Sequence, residues 1–354
     1  MTRGGVLVAR LDSAGDVLLA GPAVRAVAAA PHTRVTLLCG PRGADAGRLL
    51  PGAESVLTWN APWISDPAPA VSAASLTSLE QDIRSAEIEE AVILTSFHQS
   101  PLPLAMVLRL AGVSRITGAS VDYAGSLLDV RLRPGEDFPE DQPEATRALQ
   151  IAAAAGYRLP DDDDGRLRLR GTGDVGHLVG EGPYVVVHPG AAVPARAWPA
   201  LHHAAVVELL TAAGYRVLVT GGPAETRLTA TVAGVAGLDL GGRTNLRSLA
   251  GVLAGASAVV VGNTGPAHLA AAVGTPVVSL FAPVVPAVRW APYRVPLELL
   301  GDQNAPCRLS RARECPVPGH PCLSGVTPEQ VVEAVHRLTT GVTSLGTRRE
   351  TRTV

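Results

Sequence analysis

The sequence predicts an α/β protein of two Rossmann-like, doubly wound domains in tandem, facing one another across a cleft. Three observations carry this. The chain has 354 residues, enough for two domains at roughly 150 residues each. Short apolar runs alternate with helical patterns twice over, the signature of parallel β-α-β units. Between Leu159 and Pro183 the pattern gives way to acidic and Gly-spaced polar residues, which read as a boundary. The expected divisions are 1–172, 173–326, a terminal helix over 327–342 that folds back on the first domain, and a disordered tail over 343–354.

Each element has its own warrant. Val6–Ala9 is a short buried strand, followed by a helix from Asp16 to Ala30 that Pro31 stops. Val35–Leu38 is a second strand. Residues 61–80, rich in Pro, Ala and Ser, read as loop. Ala91–Leu94 is a strand, and a helix over Pro101–Ala111 ends at Gly112. Asp161–Asp164 reads as a solvated acidic linker, and Leu167–Leu169 as an edge strand. The second series opens with the strand Tyr184–Val187 and a helix over Pro199–Ala213. Arg216–Thr220 is a strand, with a helix from Ala224. Ala258–Val261 and Val277–Leu280 are further strands. Thr327-Pro328-Glu329 starts the last helix, with Thr as N-cap and Pro in the first turn.

Composition excludes several classes of function. Hydrophobic residues make up 47% and aromatics 3%, so Ala, Val, Leu and Gly must fill both cores. The net charge of −2 argues against a nucleic-acid partner. Every basic side chain is Arg, so lysine chemistry, including the Walker A lysine, is excluded. Four cysteines are too sparse for a disulfide framework, and a reducing cytoplasm fits them. Ser248 to Val288 lacks Asp, Glu and Arg, but Asn263-Thr264-Gly265-Pro266 and Pro276 divide it, so no transmembrane segment is expected.

Three clusters could carry chemistry. Arg10-Leu11-Asp12-Ser13-Ala14-Gly15-Asp16 follows the first strand; Asp16 is there either a helix-start anion or a general base. His188-Pro189-Gly190 follows the strand at 184, with Arg196-Ala197-Trp198-Pro199 beyond it. Small residues there admit a ligand closely, though Trp198 also fits plain core. Asn263-Thr264-Gly265-Pro266-Ala267-His268 opens a helix, where the Thr264 and Gly265 amides and the helix dipole predict an anion site. Such ligands sit at the carboxyl ends of strands.

These clusters, together with Gly221-Gly222-Pro223-Ala224-Glu225 and the Cys315…Cys322 stretch before Thr327-Pro328-Glu329, resemble glycosyltransferase family 9, the ADP-heptose heptosyltransferases. The resemblance implies a GT-B fold and inverting transfer from ADP-heptose to a glycan or small glycoside hydroxyl, with neither cofactor nor metal. It places Asp16 as general base. It assigns His188, Gly190, Arg196, Gly222, Glu225, Asn263, Thr264, Gly265, Pro266 and His268 to the donor, Glu225 at the ribose. Arg196 stands where the family usually has Lys, and Asn263 where it has Asp. Those departures admit two alternatives: a GT-B transferase using another nucleotide sugar, or a non-catalytic sugar-nucleotide binder. The expected setting is the cytoplasm, at the inner face of the membrane.

Overall fold

A computed structural model describes residues 4–346 of the chain. It divides into two compact units, one up to Arg170 and one from Gly171, close to the expected division after residue 172.

The first unit holds a six-stranded, wholly parallel sheet. Its strands are β1 (Gly4–Arg10), β2 (Thr33–Cys39), β3 (Ser55–Thr58), β4 (Ile88–Ile93), β5 (Arg115–Ala119) and β6 (Val130–Leu132). Their order is β3-β2-β1-β4-β5-β6. The inner strands are buried on both faces, hence their Val, Leu and Ile runs. The second unit repeats the pattern with β7 (Tyr184–His188), β8 (Arg216–Val219), β9 (Leu238–Asp239), β10 (Ala258–Gly262), β11 (Val277–Leu280) and β12 (Leu297–Leu300). Their order, β12-β11-β10-β7-β8-β9, has the same topology. In each sheet the order reverses beside the unit's first strand, between β1 and β4 and between β7 and β10. Ligands of doubly wound folds bind beyond the strand ends at that point.

Several expectations are corrected. The helix expected over 16–30 is two helices, Ala14–Leu19 and Gly21–Ala28. Pro22 lacks an amide proton, and its ring crowds the turn before it. The region 61–80 is only partly loop. Its prolines end at Pro69, and a helix runs over Ala73–Ser85, with Ser72 Oγ accepting from the Ser75 amide at 3.2 Å. No strand forms at 167–169. Arg170 instead ties this segment to the C-terminal end of helix Ala44–Leu49, its amide donating to Leu49 O and its Nε to Leu50 O, both at 2.8 Å.

The last helix starts as expected. Thr327 Oγ1 accepts from the Gln330 amide, and Gln330 Oε1 accepts from the Thr327 amide. It runs over Pro328–Gly346, so residues 343–346, expected as tail, are helical; residues 347–354 lie outside the described residues. Val331, Ala334, Val335 and Leu338 bury its apolar face in the second unit's core.

The acidic run is not wholly a solvated linker. Asp163 accepts from Arg25 Nε at 2.7 Å and Nη2 at 2.9 Å, clamping the run to helix Gly21–Ala28. Hydrogen bonding from Arg25 lowers the Asp163 pKa to about 2. A depressed carboxyl stabilises the fold above its unfolded pKa, and this is lost as pH falls through the folded value. Asp163→Asn should therefore cost about 2 kcal/mol at pH 7. Urea unfolding should show the gap between variant and wild type closing between about pH 4 and pH 2; a gap independent of pH contradicts the clamp.

Candidate functional site

In the first unit, Asp16 lies in the first turn of helix Ala14–Leu19, just beyond β1. Ser13 holds one carboxylate oxygen through its hydroxyl at 2.7 Å and its amide at 3.3 Å. Arg10 Nη2 donates to the other at 3.1 Å. The position is thus a helix-start anion, as its local sequence suggests, and also the outer end of a buried charged cluster.

Arg10 is the centre of that cluster and only 2% exposed. It also donates to Ser96 Oγ at 2.7 Å and to Glu144 Oε2 at 3.3 Å, and its Nε lies 2.9 Å from Asp12 Oδ2. Burial opposes its charge, but Asp12, Asp16 and Glu144 outweigh that and raise its pKa. Burial raises the Asp12 and Glu144 carboxyls, although Arg10 pulls both down. Sequence reasoning names Arg10 and Asp12 only as flanks of Asp16 and finds no role for Ser96 or Glu144. The available signal was an arginine ending an otherwise apolar buried strand, since a buried charge requires partners.

The second unit gathers the other assigned residues at the ends of β7, β8 and β10. His188 closes β7, and its Nδ1 is 3.0 Å from Thr220 Oγ1 beyond β8. Burial lowers the His188 pKa to about 4 against the opposing pull of Glu225. Gly190 follows on a buried turn. A Cβ there would fall 2.1 Å from Glu225 Oε1, so only glycine lets that carboxylate rest where it does. Glu225 ends a 3-10 turn over Pro223–Glu225, and its Oε2 accepts from the Gly222 amide at 2.7 Å.

The loop after β10 brings Asn263, Thr264, Gly265, Pro266 and His268 together. Asn263 is buried; its Nδ2 donates to Ala282 O at 3.3 Å, and its Oδ1 has no hydrogen-bond partner among the described residues. Helix Gly265–Ala272 follows, with His268 buried in its first turn. One expectation needs correction here. The Thr264 amide does not point outward but donates to Gly262 O at 2.9 Å. Ala267 N bonds back to Thr264 O, and Pro266 has no amide proton. Among the described residues the Gly265 amide has no acceptor in the fold, and it lies on the positive end of the helix dipole.

Arg196 ends a 3-10 turn over Pro194–Arg196. Its carbonyl lies 3.4 Å from where a Cβ on Gly262 would sit, so residue 196 borders the end of β10. The neighbouring Trp198 is core: it is buried, packs edge-on against His202 and His203, and donates to Leu323 O at 3.1 Å. The strand ends thus gather the Gly265 amide and the braced Glu225 carboxylate, with the backbone of Arg196 beside β10, groups suited to a phosphorylated ligand that also bears hydroxyls. No group of three or more His, Cys, Asp or Glu among the described residues is placed to hold a metal ion.

The low pKa of His188 has a direct consequence. Its imidazole should stay neutral to about pH 4, whereas an exposed histidine titrates near pH 6.5. A ¹⁵N titration of the ring should find it uncharged at pH 5.5; a midpoint near 6.5 contradicts the buried arrangement.

Comparison with known proteins places this architecture. Residues 99–320 match the family model for glycosyltransferase family 9 (heptosyltransferase). The chain is 30% identical over 176 residues to lipooligosaccharide heptosyltransferase 2 of Haemophilus influenzae, covering 46% of this chain and 49% of that protein. It is 32% identical over 217 residues to lipopolysaccharide heptosyltransferase 1 of Pseudomonas aeruginosa, covering 59% of this chain and 60% of that protein. The matches thus span about half to three fifths of these relatives' length. The solved structure of Escherichia coli ADP-heptose LPS heptosyltransferase II superposes with a TM-score of 0.73 at 20% identity, covering 97% of this chain and 100% of that one. The fold is GT-B, and the chain belongs to glycosyltransferase family 9.

Proposed function

We propose that this protein is an inverting, metal-independent glycosyltransferase that moves heptose from ADP-heptose to a hydroxyl of a glycan or small glycoside acceptor. The observation that carries the reading is the cluster at the ends of β7, β8 and β10. The open Gly265 amide, Arg196 and the Glu225 carboxylate braced by Gly222 stand within a chain of this family. The printed names of the relatives support heptose, and that of the E. coli structure supports ADP-heptose. The same reading sets the reaction in the cytoplasm, at the inner face of the membrane when the acceptor is lipid-linked.

Departure of a nucleoside diphosphate from an anomeric carbon builds positive charge on the sugar and negative charge on the leaving phosphate. In this reading Arg196 and the Gly265 amide stabilise the phosphate, with the helix dipole behind them. Arginine in place of lysine keeps the charge and adds a planar fork that can hold two phosphate oxygens. Glu225 accepts from the ribose hydroxyls. Neutral His188 with Thr220, and His268 in the first helical turn, line the same strand ends. Asn263 Oδ1 supplies a further acceptor for the donor. Asp16 takes the proton of the attacking hydroxyl, and a single displacement inverts the anomeric centre. The braced Asp16 carboxylate favours this over a non-catalytic binder.

Asp16→Asn should leave ADP affinity by calorimetry within about twofold of wild type, while ADP release from ADP-heptose falls by on the order of 10²–10⁴. Near-normal turnover rejects Asp16 as base, and tighter binding of UDP or GDP than ADP rejects the donor. Gly190→Ala should fold normally yet weaken ADP at least about tenfold, because the new methyl displaces Glu225. Unchanged affinity would remove Glu225 from the donor site.

A further inference from the structure

The buried cluster behind Asp16 carries more than the donor chemistry requires. One guanidinium, that of Arg10, faces Asp12, Asp16 and Glu144 at 2.9, 3.1 and 3.3 Å. Glu144 opens the helix Glu144–Ala154, and its carboxyl is almost wholly buried. Its Oε1 is buried with no hydrogen-bond partner among the described residues. An ionised carboxylate with a dry, unpaired oxygen is costly, so Glu144 keeps its charge only by drawing on Arg10.

The groups facing the cluster come from every neighbouring element. Asp12 and Asp16 follow β1. Arg42, after β2, acts on Asp12. Ser96 and Gln99 follow β4, and Gln99 Nε2 donates to Asp12 Oδ1. From helix Glu144–Ala154, Arg147 pulls on Glu144 and donates to Thr95 O, and it lies 3.8 Å from Glu140. Asp12, Asp16 and Glu144 are thus more carboxylates than Arg10 can satisfy at once.

We propose that Arg10 is the positioning residue for Asp16, and that Glu144 competes with Asp16 for this one buried guanidinium and so sets how firmly Asp16 is held ionised. The inference rests on the reading of Asp16 as the base. When Asp16 accepts the acceptor's proton, its hold on Arg10 weakens. Glu144 and Asp12 then keep the guanidinium paired, so no buried cation is stranded and Arg10 need not move. Ser13, bonded to the other Asp16 oxygen, keeps the carboxylate aimed throughout.

The test needs no acceptor. The full chain is labelled with ¹³Cγ-aspartate and titrated by NMR, with Asp16→Asn assigning the Asp16 signal. Glu144→Gln should lower the Asp16 midpoint by about one pH unit, because a competing negative charge is gone. Arg10→Met should raise it by about one pH unit or more, and Arg10→Lys should restore it in part. If Arg10→Met fails to fold, the Glu144→Gln and Arg10→Lys titrations decide alone. An Asp16 midpoint unchanged in both overturns the proposal. The same samples are assayed for ADP release from ADP-heptose with water as acceptor. A fully active Asp16→Asn sinks the base assignment even if the titrations shift. An inactive Asp16→Asn with unshifted titrations sinks only the role of Arg10 and Glu144.

Discussion

Each six-stranded sheet is wholly parallel, so all its strands end on one edge. Strand order reverses beside the first strand of each unit, and there the flanking loops diverge and leave backbone groups uncovered. The residues with unusual environments cluster at those two places. Arg10 and Asp16 lie beyond β1, with Ser96 beyond β4. His188, Gly190 and Glu225 lie beyond β7 and β8, with Asn263 and Gly265 beyond β10. The same topology, built twice, brings a braced carboxylate to one unit and, in the proposed reading, an anion site to the other.

The two sites solve different electrostatic problems. At the end of β10 the helix start presents the Gly265 amide, while among the described residues the Thr264 and Ala267 amides bond locally and Pro266 has none. Anion affinity there needs a full positive charge nearby, and Arg196 on the adjoining turn fits that need. At the end of β1 the charge is already present and buried. Arg10 cannot be left without partners in so dry a place, and three carboxylates surround it. Asp16, half-buried, is the least buried of the three, which suits the substrate role proposed for it.

Legibility in the sequence followed burial. Strands such as Val185–Val187 and Val259–Val261 are apolar on both faces and stood out as unbroken Val runs. Edge strands did not. Ser55–Thr58, Val130–Leu132 and Leu297–Leu300 are half-buried and mixed in composition, so their pattern resembles loop. Strand Arg115–Ala119 is buried but carries Arg, Thr and Gly, which hid it. Helix Leu246–Ala254 vanished into the long uncharged stretch, although Asn245 accepting from the Ser248 amide marks its start. Local motifs around Asp16, His188, Glu225 and Asn263 were visible. The partners Ser96 and Glu144, 86 and 134 residues from Arg10, were not, because only sheet pairing and helix packing bring them together.

In the proposed reading a nucleoside diphosphate is held by the amide opening helix Gly265–Ala272. Backbone amide NMR during titration with ADP tests it most directly. The Gly265 amide should show one of the largest shifts, saturating together with the calorimetric binding curve. ADP that binds and leaves Gly265 unmoved, or that fails to bind at all, would contradict it.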